Sequence, residues 1–130
     1  MMPKAKNDLL QKIIDQEKTA AEFGFYWESI EQLLEQIQSE CVEVKEAWLK
    51  QDNIHLKEEV GDLMNAAVSL CIFLKLDPFE TLHESVEKFQ QRYDSLVKLV
   101  ERDGLPHLKN KPLNILLDYW NKAKKVVKRI

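Results

Sequence analysis

Four acidic residues stand at a spacing that suits cation chemistry: Glu40 and Glu43, then Glu59 and Asp62. In a helix, side chains three apart share a face, so each pair aims two carboxylates the same way. If the chain folds back about Gln51, Glu40 falls level with Asp62 and Glu43 level with Glu59. Four acids then meet within one turn of two helices whose axes pack at about 8–10 Å. Leu56 three before Glu59 and Leu63 four after it turn that stripe to the core, and Glu40 sits at the margin of its helix's apolar stripe. Carboxylates crowded at a core edge repel one another and are poorly solvated unless a cation joins them. Hard oxygen donors without Cys or paired His suit Mg²⁺, with Mn²⁺ as a substitute. A di-iron bundle needs Glu-x-x-His motifs, which His55, His83 and His107 do not supply. An ordinary solvated acidic face is the other reading of the four acids. His55 shares the stripe of Glu59 and reads as a capping or packing residue.

A second set of residues is cationic. Lys88 and Arg92 are four apart on one flank of a seam through Phe89, so two positive heads project together and can meet a phosphate chain. A snorkelling surface pair is the alternative. Trp120 and Lys124 repeat the spacing, and packing is the default role of Trp120 on its apolar stripe. The basic residues near the end, Lys122, Lys124, Lys125, Lys128 and Arg129, complement a helix C-terminus without any ligand.

Such residues need helical supports, and five can be read. The first runs over about 8–21 with Leu9, Leu10, Ile13 and Ile14 at helical spacing, and stops near Gly24. The second opens at Ser29, which with Gln32 fits a capping box, and runs to about Lys50 on a stripe of Ile30, Leu33, Leu34, Ile37, Cys41, Val44 and Trp48. Gln51, Asp52 and Asn53 end it and cap a third helix over 54–76, a connection short enough to force an antiparallel hairpin. Asp77, Pro78 and Glu80 mark the start of a fourth, whose Phe79, Leu82, Val86, Phe89, Tyr93, Leu96 and Val100 form one seam up to Gly104. After a loop over 105–112, a fifth carries Leu113, Leu116, Trp120, Ala123 and Val127. The fold class is therefore all-α, a bundle of about five helices.

Composition bounds the rest. The 130 residues carry 19 basic and 22 acidic side chains, a formal charge of −3, which argues against a protein whose main task is coating nucleic acid. Three Gly and four Pro leave little turn chemistry for many short strands. The most apolar run, 66–74, is far shorter than the roughly 20 residues that span a bilayer. The first eight residues lack the apolar core of a secretory signal, so the expected compartment is the cytoplasm. Cys41 and Cys71 form no CxxC pair and read as small core residues. The apolar faces exceed what one small bundle covers, and the expectation is a homodimer or higher homo-oligomer in which helices of both chains pair.

The segments SerGluCysValGluValLysGluAla and LysGluGluValGlyAspLeuMetAsn, with fifteen residues between Glu43 and Glu59, resemble the paired acidic signature of the MazG-like all-α nucleoside triphosphate pyrophosphohydrolases. PheGlyPheTyrTrp at 23–27, LysPheGlnGlnArgTyr at 88–93 and TrpAsnLysAlaLys at 120–124 resemble further segments of the C-terminal domain of the longer MazG enzymes. Four motifs in order cover roughly residues 20–125, so the resemblance implies a single domain over 1–130 with 1–20 as an N-terminal helical extension. It implies Mg²⁺ at Glu40, Glu43, Glu59 and Asp62, phosphate contact by Lys88 and Arg92, and a substrate-side role for Trp120 and Lys124. The implied reaction takes a nucleoside triphosphate and water to the monophosphate and pyrophosphate, in the service of nucleotide-pool cleaning. Such chemistry requires positioning and charge cancellation more than covalent catalysis. One carboxylate orients the attacking water, Glu43 first and Glu40 next. Two positions depart from the family pattern: Ser39 stands where many members have Glu, and Tyr26 where the related segment has Asp. A catalytically silent dimerisation module, and a relative acting on a nucleotide-linked metabolite such as phosphoribosyl-ATP, are the alternatives.

Overall fold

A computed structural model of the chain describes residues 5–127, so Lys128, Arg129 and the first four residues of the N-terminal segment considered above lie outside it. Among the described residues there are five α-helices and no strand: α1 (Ala5–Phe23), α2 (Ile30–Leu49), α3 (Asn53–Phe73), α4 (Pro78–Arg102) and α5 (Leu113–Val126). None is long and apolar enough to cross a membrane. Contacts divide the chain into two compact units, one ending at Thr81 and one beginning at Leu82.

In the first unit α3 packs against both α2 and α1. The start of α2 is set by Ser29, whose hydroxyl accepts from the Gln32 amide N–H at 3.3 Å, while the Gln32 side chain reaches back to the N–H of Glu28 at 3.0 Å. That is a capping box displaced by one residue at its return arm. At α3, Asp52 accepts from the His55 N–H at 3.2 Å, and at α4 Asp77 accepts from the N–H of Phe79 at 2.8 Å.

Two boundaries differ by three residues: α1 begins at Ala5 rather than about 8, and α3 ends early. The third helix stops at Phe73, three residues before the end expected from its apolar run, because Lys75 adopts φ 60° and the chain closes a Schellman motif. The Leu76 N–H donates to the Cys71 carbonyl at 2.9 Å and that of Lys75 to Ile72 at 3.1 Å. The same closure ends α2 at Gln51, φ 56°, with Asp52 donating to Ala47 at 3.0 Å. It fixes the hairpin's three-residue turn.

Burial corrects two expectations about α2. Its most buried side chains are Leu33, Glu40 and Ala47, seven residues apart, so Glu40 lies on the central buried line of the helix rather than at its margin. Cys41, expected in the core, is exposed, as is Trp48, because the face they share is turned away from that line. Cys71 is half-buried, and both thiols are free. The second unit buries Val100, Tyr119 and Ala123, and the Tyr119 hydroxyl donates to Asp103 at 2.6 Å, tying α5 to the end of α4. The seam of α4 is exposed from Phe79 to Tyr93, and only at Val100 is it fully buried.

Candidate metal centre

The α2–α3 hairpin brings Glu40, Glu43 and Glu59 together, with one carboxylate oxygen from each inside a group no wider than 4.8 Å. Glu40 is 7% exposed, Glu59 half-buried and Glu43 exposed, so the cluster runs from the interhelical core to solvent. Asp62 is exposed one turn beyond Glu59 and contributes no oxygen to this group. Its i, i+3 relation to Glu59 keeps it on the neighbouring surface of α3.

The electrostatics are those of a site short of positive charge. The Glu59 carboxyl is pushed up from its ordinary 4.5 to about 7, first by its hydrogen-bonded contact with Glu43, then by burial and by repulsion from the Glu43 charge, with Glu40 adding the same two effects more weakly. Glu40 Oε2 and Glu59 Oε2 are both buried without a hydrogen-bond partner. Orphaned buried carboxylate oxygens are expensive in a folded protein, and two of them within one cluster are what a hard cation satisfies. The three glutamates therefore fit a divalent ion such as Mg²⁺.

Two polar features around the cluster were not legible as site elements. The Gln36 amide donates to Glu40 Oε1 at 2.6 Å, a contact that the i, i+4 spacing of Gln and Glu signals only weakly. The His55 ring pairs with Asp52 at the start of α3, which lowers the Asp52 carboxyl and raises the imidazole, in each case chiefly through that hydrogen bond. Both residues line a cleft of about 260 Å³ with Glu43 and Glu59. The capping role expected of His55 is present, and its ring is at the edge of the acidic site as well. A second, polar cleft of about 600 Å³ is lined by Tyr26, Trp27, Gln32, Gln36 and Ser39. Tyr26 and Ser39, the two positions read from the resemblance as departures, thus line one cleft.

In the second unit Lys88 and Arg92 are half-buried, and Arg92 Nε is buried with no hydrogen-bond partner. Phe89, between them, packs against Trp120 with ring centroids 5.5 Å apart and lies parallel to Tyr93 at 6.3 Å. Trp120 is therefore held against the Phe89 seam of α4. Lys124 is exposed one turn further along α5.

A partly buried acidic cluster on a helical hairpin that could hold a cation, followed by a helix bearing a Lys–Arg pair, defines an all-α protein with the makings of a metal site. Residues 28–97 match the MazG nucleotide pyrophosphohydrolase domain, and the chain belongs to that family. It is 39% identical over 108 residues to the nucleoside triphosphate pyrophosphohydrolase/pyrophosphatase MazG of Thermotoga maritima, an alignment covering 83% of this chain and 41% of that protein. To the nucleoside triphosphate pyrophosphohydrolase of Escherichia coli K12 it is 27% identical over 113 residues, 84% of this chain and 42% of the relative. The uncharacterized protein YabN of Bacillus subtilis is 31% identical over 75 residues, 58% of this chain and 15% of its own length. The chain thus spans about two-fifths of the length of the first two relatives.

Proposed function

We propose that this chain hydrolyses nucleoside triphosphates to the monophosphate and pyrophosphate, with Mg²⁺, replaceable by Mn²⁺, held by Glu40, Glu43, Glu59 and Asp62. The observation that carries this is the trio of carboxylates with two buried, unpartnered oxygens in a chain of the MazG family. A divalent ion supplies charge cancellation on the phosphates and acidifies water. The residues supply the rest. Glu40 and Glu59 would offer buried oxygens to the ion, and Asp62, one turn beyond Glu59, would complete the ligand set. Exposed Glu43 orients the attacking water, with Glu40 as the second candidate. Lys88 and Arg92 bind phosphate oxygens, Trp120 offers an aromatic face and Lys124 a further positive charge on the substrate side.

The test is turnover over ribo-, deoxy- and modified triphosphates with Mg²⁺, resolving pyrophosphate from phosphate. Pyrophosphate release from at least one of them is expected. Failure with all of them in excess Mg²⁺ overturns the proposal, and assay with phosphoribosyl-ATP then separates the metabolite-hydrolysing relative from the silent module.

The working form in this proposal is a cytoplasmic homodimer or larger homo-oligomer that cleanses the nucleotide pool. Exposed Trp48, Ile54, Met64, Val86 and Phe89 support the pairing, since so much large apolar surface on one chain is otherwise an aggregation liability. Sedimentation at micromolar concentration should give a dimer or larger species, and a stable monomer counts against it.

A further inference from the structure

Among the described residues, three glutamines donate to a carboxylate one turn further along the same helix. Gln11 bonds Asp15 at 3.0 Å on α1 and Gln90 bonds Asp94 at 2.9 Å on α4, both on exposed surface. Pairs of that kind staple a helix and do little else. The third, Gln36 to Glu40, is shorter at 2.6 Å and partly buried, and its acceptor is the most buried carboxylate of the acidic cluster. The bond takes up Glu40 Oε1 and leaves Oε2 buried without a partner.

The chemistry of that donor matters. A lysine or arginine at this distance would cancel the charge of Glu40 and weaken its hold on a cation. A neutral amide fixes the carboxylate plane and satisfies one oxygen while leaving the full negative charge available. Gln36 also lines the polar cleft with Tyr26, Trp27 and Ser39, so one residue borders that cleft and bonds the cluster. We infer that Gln36 is a positioning residue of the metal centre: it holds Glu40 so that one oxygen stays free for the cation. This rests on the metal-site reading above and adds to it a residue that touches neither metal nor phosphate.

Partners of metal ligands of this type typically change metal affinity by roughly 10–100-fold when removed. The experiment is calorimetric titration of the whole metal-free protein with Mn²⁺ and no nucleotide, on Gln36→Met, Gln36→Asn and, as the exposed control, Gln90→Met. Methionine keeps the length of the side chain without the donor, and asparagine keeps the amide but withdraws it by one methylene. Both Gln36 variants should bind Mn²⁺ at least tenfold more weakly than the unmodified protein, with helical circular dichroism retained, while Gln90→Met binds as the unmodified protein does. Affinity within twofold of unmodified in whichever Gln36 variant is folded overturns the positioning role while leaving the metal centre standing. If the unmodified protein itself takes up no Mn²⁺, or takes it up undiminished in Glu59→Gln, the metal-site reading fails and this inference fails with it.

Discussion

The two units carry opposite charges in opposite surroundings. In the α2–α3 hairpin the acids lie on the packing face: Glu40 stands in line with Leu33 and Ala47, and Glu59 carries a buried oxygen without a partner. In the α4–α5 unit the packing and the charges are separated. Val100, Tyr119 and Ala123 fill the interior, whereas Phe89 and Tyr93 are exposed and Lys88 and Arg92 flank them half-buried. The lesson is about what removal of a charge does. On the proposed reading, a neutralised acid in the hairpin should relieve the fold and disable the chemistry, while a lost cation on α4 should disable the chemistry without costing the fold.

The largest effect expected is at Glu59. Glu59→Gln, or Asp62→Asn, should lower Mg²⁺-dependent turnover on the order of a thousandfold, the scale of several kcal/mol of lost charge stabilisation. In chelator the melting temperature of Glu59→Gln should stay level or rise, because a repulsive contact with Glu43 is gone. Unchanged turnover at limiting Mg²⁺ would remove these residues from the site.

On the other side of the comparison, Lys88→Ala and Arg92→Ala should each lose about 2–4 kcal/mol of transition-state stabilisation, roughly a hundredfold in kcat/KM. The melting temperature of Lys88→Ala should barely move, within about 0.5 kcal/mol, and that of Arg92→Ala should stay level or rise, because the substitution removes a buried nitrogen without a partner. Near-normal turnover in both, with a triphosphate that the unmodified protein cleaves, makes the pair ordinary surface.

A pH titration of stability sharpens the contrast without any substrate. In the metal-free protein Glu59 keeps its proton up to about pH 7, whereas in the unfolded chain it is lost near 4.5. The folded state binds more protons in that interval, so this contribution is fully present below 4.5 and is lost as pH rises through 7. Asp103, held low chiefly by the Tyr119 hydroxyl, has the opposite sign: its contribution is present above the ordinary 3.8 and is lost as pH falls below it. Urea midpoints across pH 4–8 in chelator should therefore fall with rising pH; Glu59→Gln should flatten the fall between 4.5 and 7, leaving the part above the ordinary imidazole value that His55, raised by Asp52, contributes. An undiminished slope between pH 4.5 and 6.5 after the substitution assigns that interval to a group other than Glu59.

Much of this was legible because helix periodicity and capping are local. Ser29, Asp52 and Asp77 announce their helices by residue type, and the mirrored spacing about Gln51 foretells a meeting of acids on the hairpin. What periodicity could not supply was depth. Whether Glu40 sits at the margin or on the central line depends on how far α2 rotates against α3, and one residue's rotation changes that. Asp62 shows the same limit from the other side: spacing puts it level with Glu40, yet its oxygens lie outside the group that Glu40, Glu43 and Glu59 form. The end of α3 was missed for a different reason. Its Schellman turn is made at Lys75, a residue that carries no signal for a left-handed backbone.

That last point yields the smallest expected effect and a clean comparison of the units. The second unit ends α4 with Gly104 at φ 78°, where an added Cβ would meet nothing within 4 Å. The first ends α2 and α3 with Gln51 and Lys75 at φ 56° and 60°. A left-handed residue with a side chain costs about 1–2 kcal/mol, from which a glycine's greater freedom in the unfolded chain recovers roughly 0.5–1. Lys75→Gly should therefore stabilise the metal-free protein by about 0.5–1 kcal/mol, and Gly104→Ala should destabilise it by a similar amount. Since neither residue touches a carboxylate of the cluster or the basic pair, kcat/KM should stay within twofold in both. Urea denaturation read by circular dichroism measures the pair of shifts. Equal signs would mean that the backbone at these caps relaxes on substitution, and that the closures ending α3 and α4 are not held by the left-handed residue at all.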